Sequence, residues 1–309
     1  MFIRSILCAV VLFFTVTIIH AQGCSDAGFC TAGNFNALHV STAAKSSFHK
    51  NEFDLLFNYG SHNKKREEFF QPQLNWRHIR NNGSFVELRL PLNHATDNIN
   101  SISTTGIGDI TATYNSKFLV KHNTRFDYSI GFRISFTEAG KAAAKGSNSY
   151  PMFLQNGLGT TDLIAVVNYD PVKYLSIGTG IQLPLIQYNR NKQFLQPLFI
   201  GNLTSDGYRR NPDALLKLTG HYQTGKFKLN AGLLSIFHLA NDYYTSSLGK
   251  YKIQDSKGTT INWTADCSYA FSGKWMLNLL YAEPIVTRKS IPDGLARSRI
   301  IVPKITFAF

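Results

Sequence analysis

From residue 51 to residue 309, the chain is a succession of segments in which apolar and polar side chains alternate. In the clearest segment, Arg125 to Phe136, bulky apolar residues at even positions alternate with polar or small residues at odd positions. A second such segment runs from Thr260 to Phe271. A period of two is the signature of a β-strand whose two faces meet different surroundings. Similar segments lie near residues 51–60, 67–79, 84–93, 108–121, 161–170, 174–187, 213–223, 226–239, 275–286 and 298–309.

The links between these twelve segments alternate in length. Short links fall at 80–83, 122–124, 170–173, 223–226 and 272–274. Long links fall at 94–107, 137–160, 188–212, 240–259 and 287–297, and 61–66 is intermediate. Bacterial outer-membrane barrels have short turns at one end, longer loops at the other and an even strand number. The sequence therefore predicts an all-β fold, a transmembrane antiparallel up-and-down barrel of about twelve strands over residues 51–309.

The last segment ends on an aromatic residue, and its apolar side chains at 301, 303, 305, 307 and 309 share one face. Such a strand would promote aggregation in water, whereas lipid can cover it. An aromatic end also resembles the tail that the barrel assembly machinery of Gram-negative bacteria binds. We therefore expect outer-membrane lipids and that machinery, through Phe309, as partners. If Phe309 lies in the periplasm, every long link lies outside.

The amino-terminal residues have the features of an export signal. Arg4 precedes an apolar stretch from Ile6 to Ile19, and Ala21 follows at a plausible cleavage point. Residues 1–21 are therefore predicted to be a signal peptide, which implies the outer membrane of a Gram-negative bacterium. Cys24 and Cys30 fall in the next segment, 22–50, and predict a small disulfide loop in an oxidising compartment. Lipidation of Cys24 is the alternative.

The formal net charge of +13 is spread over the predicted loops, for example at Lys64, Arg190 and Lys289. A basic arm or helix of the kind that binds nucleic acid is not evident, so no nucleic-acid partner is predicted. For an exported chain, lipopolysaccharide or an anionic solute is the expected partner.

Two short motifs recur at the ends of the predicted strands. Gly106-Ile107-Gly108-Asp109-Ile110 and Gly157-Leu158-Gly159 open strands, while Leu90-Pro91-Leu92, Leu183-Pro184-Leu185 and Glu283-Pro284-Ile285 close them. With the signal peptide and the aromatic end, they resemble a family of outer-membrane channels named after the MetA pathway of phenol degradation. That family is loosely related to FadL-like transporters of hydrophobic compounds. The resemblance covers most of the mature chain and implies a channel, and in FadL-like transporters an amino-terminal segment plugs the lumen. Whether residues 22–50 do so is left open.

If the aromatic face meets lipid, the opposite face lines the lumen. The lumen or constriction candidates are then Arg77, Glu87, Arg89, Asp127, Arg133 and Asp266. One interpretation is that opposite charges on neighbouring strands pair to satisfy a polar interior. The other is that some of them line a constriction that selects solutes by charge.

The predicted outer loops contain many aromatic side chains. The recognition candidates are Tyr150, Phe153, Phe194, Phe199, Tyr243 and Tyr244. They could form an apolar access pocket for a hydrophobic substrate, or they could pack on one another and on lipid headgroups.

No catalytic, cofactor or metal motif is evident, so no enzyme activity, cofactor or metal is predicted. The main enzymatic alternative is a lipid hydrolase, but neither His78 nor His221 has an identifiable serine partner. The leading hypothesis is passive passage of small solutes, hydrophobic ones included. The alternative is a non-conducting barrel that recognises lipopolysaccharide or another partner at the surface.

Overall fold

The computed structural model describes residues 50–62, 67–121, 124–142, 149–192, 207–246, 249–293 and 299–309. Apart from a single 3-10 turn, Met152–Leu154, the regular elements in these ranges are β-strands. No helix among them could cross a membrane. The strands are β1 (Asn51–His62), β2 (Glu67–Ile79), β3 (Phe85–Asp97), β4 (Ile102–Ile107), β5 (Ile110–Lys121), β6 (Thr124–Ile134), β7 (Thr160–Val172), β8 (Leu175–Gln187), β9 (Asp213–Thr224), β10 (Phe227–His238), β11 (Tyr243–Ser246), β12 (Gly249–Lys252), β13 (Gly258–Ala270), β14 (Trp275–Val286) and β15 (Arg299–Ala308).

The main sheet closes on itself as an antiparallel barrel. Its thirteen strands follow the order β2-β1-β15-β14-β13-β10-β9-β8-β7-β6-β5-β3-β4, and β2 also pairs with β3. Both β4 and β5 pair with β3, one above the other, so they share a single position in the wall. The wall therefore has twelve strand positions, which confirms the predicted fold class. The strands at the twelve wall positions pair on both sides, as a strand structure in lipid requires, while β4 pairs only with β3 among the described residues.

The two faces of the wall have the predicted orientation. On β6, Asp127 and Arg133 point inward and are buried, whereas Ile130 and Phe132 are about half exposed on the outside. On β15, Lys304 points inward and Ile305 points outward. A barrel with a polar inner face and an apolar outer face belongs in a bilayer. The fold is that of Gram-negative outer-membrane proteins, and that membrane is where the chain resides.

The chain terminus lies at the end of the barrel that carries the short turns, here called the turn end. The Phe309 amide donates to the Asn51 carbonyl oxygen at 2.9 Å, and the Asn51 amide donates back at 3.2 Å. The Phe309 ring stacks on the rings of Phe53 and Phe307, with centroids 5.5 and 5.7 Å apart. These contacts tie the terminal aromatic residue to β1. The opposite end, here called the loop end, carries the longer connections.

One predicted loop is mostly strand, which corrects the sequence prediction. The predicted link 94–107 contains the last residues of β3 and all of β4, so only residues 98–101 connect them. The Asp97 side chain organises this turn, because Oδ1 accepts from the Ile99 amide at 3.0 Å and Oδ2 from Asn100 Nδ2 at 2.7 Å. The predicted link 240–259 likewise contains a small separate hairpin, β11–β12.

The described parts of the connections at the loop end form a layer, here called the cap, made of residues 135–142, 149–159, 188–192, 207–212, 239–246, 249–257 and 287–293. Its apolar centre joins residues from several loops: Ala139, Met152, Leu158, Tyr208 and Ile253, with Tyr244 packed against them. Two buried asparagines bridge the same loops. Asn189 donates to the Leu158 carbonyl oxygen at 2.8 Å, and Asn191 donates to that of Ala139 at 2.8 Å. The cap therefore has a core of its own above the barrel wall.

Candidate functional site

Near the turn end, the inner wall holds a charge group centred on Arg77 of β2. This turn-end charge group consists of Glu52, Asp54, Arg77, Glu87 and Arg89. The Arg77 guanidinium uses all three nitrogens: Nη1 lies 2.5 Å from Glu52, Nη2 lies 2.5 Å from Asp54, and Nε lies 3.2 Å from Glu87. Arg89 Nη2 contacts the other Glu87 oxygen at 2.6 Å. The register that pairs β1, β2 and β3 at these positions brings the five side chains together.

Closer to the cap lies a second group, the loop-end charge group, consisting of Asp109, Arg133, Asp162, Arg210, Asp213 and His238. Arg133 forms an ion pair with Asp162 on the neighbouring strand, and its Nε lies 3.8 Å from Asp109 Oδ2. Arg210, from a cap segment, lies 3.4 Å from Asp162 and 2.7 Å from Asp213. His238 Nδ1 lies 2.6 Å from the other Asp213 oxygen. This group therefore joins the wall to the cap.

All six lumen candidates lie on inner positions of the wall, but the structure distributes them over separate groups. Arg77, Glu87 and Arg89 meet in the turn-end charge group. Asp127 pairs with Arg125 at 2.5 Å, and Arg133 belongs to the loop-end charge group. Asp266 accepts a hydrogen bond from Asn230 at 2.7 Å. The structure thus shows pairing for five of the candidates, and their role in a constriction stays a prediction.

A cap segment, residues 149–159, folds against the inner face of the wall and is here called the inward loop. The Thr104 hydroxyl donates to the Leu154 carbonyl oxygen at 2.6 Å, and Asn93 Nδ2 donates to that of Asn156 at 2.5 Å. The Leu158 amide also contacts Asp109 Oδ2 at 3.4 Å. These bonds hold the loop beside β3, β4 and β5.

The two glycine motifs of the sequence meet where this loop is seated. A Cβ on Gly106 would lie 2.0 Å from Asn156 Nδ2, and a Cβ on Gly157 would lie 2.2 Å from Asp109 Oδ1. Any larger residue at Gly106 would therefore require the Asn156 side chain to move, and any larger residue at Gly157 the Asp109 side chain. In the structure, these glycines permit the close approach of the inward loop to the wall.

Between the inward loop and the wall lies a cavity of about 50 Å³, here called the loop cavity. Both polar and apolar side chains line it. Its polar lining includes Gln71, Gln73, Arg89, Asn93, Asp109, Arg133 and Asn156, and its apolar lining includes Phe69, Met152, Phe153 and Leu158. The cavity is smaller than the roughly 300–1,000 Å³ of typical small-molecule pockets.

Sequence reasoning missed several residues of this site. The loop-end charge group is completed by Arg210, Asp213 and His238. Asp213 begins β9, His238 ends β10, and Arg210 lies in a cap segment. The Gly-x-Gly spacing was the available signal for the inward loop, since paired glycines at a strand start indicate a close neighbour.

The aromatic residues of the outer loops have different surroundings. Phe153 lines the loop cavity, and the Tyr150 carbonyl oxygen accepts hydrogen bonds from Gln155 and Asn191. Tyr244 stacks on Tyr251 with ring centroids 5.1 Å apart. Lys250 Nζ lies 4.0 Å from the Tyr243 ring centroid. Packing within the cap therefore accounts for Tyr244, while Phe153 faces the lumen.

Phe194 and Phe199 lie outside the described residues, as do Cys24, Cys30 and residues 22–49 of the predicted plug.

A buried acid network ties three cap segments together. Tyr208 donates its hydroxyl hydrogen to Asp242 at 2.8 Å, and the Asn211 amide donates to the other Asp242 oxygen at 2.8 Å. Arg288 lies 3.6 Å from Asp242 and 2.7 Å from Asp293. Burial raises the pKa of Asp242 to about 6, although Arg288 and the hydrogen bonds act in the opposite direction.

The inner wall also carries apolar patches that sequence reasoning did not predict. One joins Ile164, Val166, Leu215, Leu234 and Ile236, and the other joins Leu56, Ala282, Ile300 and Val302, with Leu280 packed against it. The charged groups lie mainly on β1, β2, β3, β6 and β7. The lumen is therefore chemically divided rather than uniformly polar.

The two histidines considered for hydrolysis have amide partners. His78 Nδ1 lies 3.0 Å from Asn51 Oδ1, and the His78 ring is 6.1 Å from that of Trp76. His221 Nδ1 lies 2.7 Å from Asn230 Oδ1. These contacts provide no direct evidence of catalysis.

Cys267 is unbonded and lies on the outer face of β13.

No protein-family model matches the chain, and no curated protein matches it by sequence. Among solved structures, a COG4313 outer-membrane channel from Pseudomonas putida F1 is similar, with a TM-score of 0.60 at 12% identity. The match covers 87% of this chain and 98% of that one. The translocator domain of the autotransporter NalP from Neisseria meningitidis has a TM-score of 0.47 at 10% identity, covering 92% and 96%. The TodX deltaS2S3 mutant monoaromatic hydrocarbon channel has a TM-score of 0.43 at 9% identity, covering 94% and 96%. The first likeness confirms the expected fold of an outer-membrane barrel.

Proposed function

We propose that this protein is an outer-membrane channel through which small solutes pass passively. The observation that carries the proposal is the closed barrel with polar and charged side chains on its inner face from the turn end to the loop end. A polar inner face offers hydrogen-bonding partners to water and to hydrated solutes. The fold of the COG4313 channel supports the proposal, since that chain is described as an outer-membrane channel.

The inward loop is the element that narrows the path in this proposal. It is seated on the wall by hydrogen bonds from Asn93 and Thr104, and it brings Phe153 towards Arg89 and Arg133. Charged side chains at a narrow point raise or lower the barrier for ions according to sign. We therefore place the constriction at the loop cavity. The apolar patches extend the proposal to solutes with a hydrophobic part.

The second candidate is a barrel that recognises an anionic surface, and the exposed charge of the cap favours it. Seven basic residues are exposed there: Lys141, Arg190, Lys192, Lys250, Lys252, Lys257 and Lys289. Glu138 and Asp255 are the exposed acids of the described cap. Such an excess of positive charge fits lipopolysaccharide phosphate groups.

Single-channel recording in planar bilayers tests the first candidate. We expect discrete conductance steps from the purified barrel, with an altered conductance when Arg133 is replaced by Gln. Arg125→Gln is the matched control, because Arg125 also forms an ion pair with an aspartate but lies outside the loop cavity. A folded barrel that gives neither ion current nor solute flux in liposomes would contradict the channel and leave surface recognition. Release of fatty acid from labelled phospholipid would instead indicate a hydrolase.

Deletion of residues 22–49 tests the predicted plug in the same recordings. A larger conductance in the deletion variant would support a lumenal position of that segment. An unchanged conductance in a folded barrel would contradict it.

A further inference from the structure

Three lysines line the side of the lumen that is formed by the later strands. Lys217 on β9, Lys228 on β10 and Lys304 on β15 occupy inner positions. Their neighbours along each strand face lipid and are about half exposed: Leu216 and Leu218, Phe227 and Leu229, and Ile305. Among the described inner residues of these strands and of β13 and β14, the acids are Asp213, which belongs to the loop-end charge group, and Asp266. Positive charge therefore prevails on this side of the wall.

Asp266 is shared between two of the lysines. Its carboxylate interacts electrostatically with both Lys217 and Lys228. Its Oδ1 also accepts a hydrogen bond from Asn230 Nδ2 at 2.7 Å. One negative charge therefore faces two positive charges.

The other charges around Lys228 do not neutralise it. Asp170 attracts Lys228, whereas Arg125 and Lys304 repel it. Arg125 Nε lies 3.8 Å from Asp170 Oδ2, so that carboxylate is shared with an arginine. The repulsion between Lys228 and Lys304 shows that the two ammonium groups act on the same part of the lumen.

Lys304 is buried beside a carboxylate that other groups already bind. The side chain is 6% exposed, and it interacts electrostatically with Asp54. Arg77 Nη2 lies 2.5 Å from Asp54 Oδ2, and the Thr306 hydroxyl donates to Oδ1 at 2.6 Å. Asp54 is therefore chiefly the partner of Arg77, and much of the charge of Lys304 remains uncompensated.

Strand register places hydrogen-bond donors between the two lysines. Lys228 lies opposite Ser268, Ser268 lies opposite Asn278, and Asn278 lies opposite Lys304. These four residues are here called the lysine row. Asn278 Nδ2 donates to Ser268 Oγ at 2.9 Å, which holds the amide within the row. Two ammonium groups, a hydroxyl group and an amide suit an anion better than a cation.

We propose that small anions pass along the lysine row, so that the channel prefers anions to cations. The class includes inorganic anions such as chloride and short carboxylates. A lysine ammonium is a mobile point charge on a flexible stem, and charges that line a pore select ions by sign. On the opposite side of the lumen, Arg77, Arg89 and Arg125 bind the nearby carboxylates within the wall. The inference rests on the proposed channel function and names the charge class of its solutes.

Cysteine labelling measures the sign of the potential at the row without requiring ion current. Ser268→Cys is made in the full-length chain with Cys24, Cys30 and Cys267 replaced by Ala. The labels are the anionic 2-sulfonatoethyl and the cationic 2-(trimethylammonio)ethyl methanethiosulfonates, with rates normalised to those of a small thiol in solution. We expect the anionic reagent to be about fivefold faster, the effect of one unit charge about 4 Å away in water. Equal normalised rates, or no reaction with either reagent, would overturn the inference.

Charge substitutions test the residues in the same labelling assay. Lys228→Gln and Lys304→Gln should each reduce the preference for the anionic reagent, whereas Asp266→Asn should increase it. If one lysine variant does not fold, the other still decides the question. Lys226→Gln is the matched control, because Lys226 is two residues from Lys228 but lies on an exposed turn, where Nζ donates to the Phe271 carbonyl oxygen at 3.3 Å. An equal loss of preference in the control would overturn the assignment to the lysine row.

Reversal potentials in a tenfold gradient of potassium chloride separate this inference from the proposed function. We expect a potential of the sign that chloride preference gives, reduced in Lys228→Gln and Lys304→Gln. A barrel that conducts without preferring chloride overturns the inference and leaves the channel standing. A folded barrel that carries no current but labels faster with the anionic reagent overturns the channel and leaves the anion-attracting row.

Discussion

Arg77 and Arg133 are both buried arginines on the inner wall, yet their surroundings differ. Arg77 uses all three guanidinium nitrogens in contacts with three carboxylates of adjacent strands. Arg133 uses Nη2 on Asp162, whereas Nε and Nη1 lack a hydrogen-bond acceptor among the described residues. The turn-end group is complete within the wall, while the loop-end group borders a cavity. A paired lumenal charge therefore serves the structure, and an incompletely paired charge is available to a solute.

The largest expected effect comes from breaking the complete group. Arg77→Gln would leave Glu52, Asp54 and Glu87 close together with a single remaining arginine partner, Arg89. Removing one member of a buried ion-paired group costs about 3–5 kcal/mol. We expect a large fall in the unfolding midpoint in urea, measured by the gel shift between folded and unfolded barrel.

Arg133→Gln should lower the unfolding midpoint in urea less than Arg77→Gln does. That variant strands one closely paired carboxylate, Asp162, which keeps Arg210 as a partner at 3.4 Å. Equal destabilisation by the two variants would contradict the distinction between a structural and an available arginine.

A second prediction concerns the inward loop, which folds against the inner wall at the loop end of the barrel. Gly106→Leu places a side chain where Asn156 lies, since even a Cβ would come within 2.0 Å of Asn156 Nδ2. Overpacking of this kind costs about 1–3 kcal/mol, and the loop can relieve it by leaving the wall. We expect a higher single-channel conductance in planar bilayers. Gly273→Ala is the matched control, because its Cβ would have no heavy atom within 4 Å. An unchanged conductance in a folded Gly106→Leu barrel would show that the loop does not narrow the path.

The strands were predictable because one face of the wall meets lipid and the other meets the polar lumen. Apolar and polar residues therefore alternate along each strand. The predicted segments 67–79 and 275–286 coincide with β2 and β14. The prediction was wrong at 94–107, where β3 and β4 continue the wall beyond the point at which bulky apolar residues alternate. Inward orientation of Arg77 and Arg133 was also predictable from the period.

Their partners were less predictable, because ion pairing depends on register and on loops that fold back. Arg210 reaches Asp162 from 48 residues away, and no local pattern indicates that contact. The apolar inner patches were missed for a related reason. Ile300 and Val302 face inward on a strand whose outer face is also apolar, so the two faces look alike in sequence. The inward loop was marked only by its glycines.

A third prediction uses pH to weaken the cap without touching the wall. Burial raises the pKa of Asp242 to about 6, whereas the unfolded value is 3.8. The folded state therefore binds the proton more tightly, and the stability from this group is full below about pH 4 and lost as pH rises through 6. Between pH 4.5 and 7, the loss is about 2 kcal/mol at most.

Hydrogen exchange of cap peptides within 239–257, corrected for intrinsic rates, measures this change. We expect protection to fall from pH 4.5 to pH 7, with β2 and β14 unaffected. Asp242→Asn should remove most of the pH dependence. A dependence that persists in that variant would contradict the assignment of the pH effect to Asp242.

The smallest expected effect sets the baseline for the comparison of ion pairs. On the cap surface, Arg190 Nη1 lies 3.3 Å from Glu138 Oε2, with the two side chains 72% and 53% exposed. Water and salt screen such a pair, and holding two long side chains costs entropy, so its contribution is about 0–1 kcal/mol. Arg190→Gln should therefore leave the urea midpoint nearly unchanged, although Arg190 and Arg77 carry the same charge and each contacts carboxylate. If Arg190→Gln destabilised the barrel as much as Arg77→Gln, burial could not be what separates structural from surface charges. A null result would confirm that the exposed Arg190–Glu138 pair contributes little to the stability of the fold.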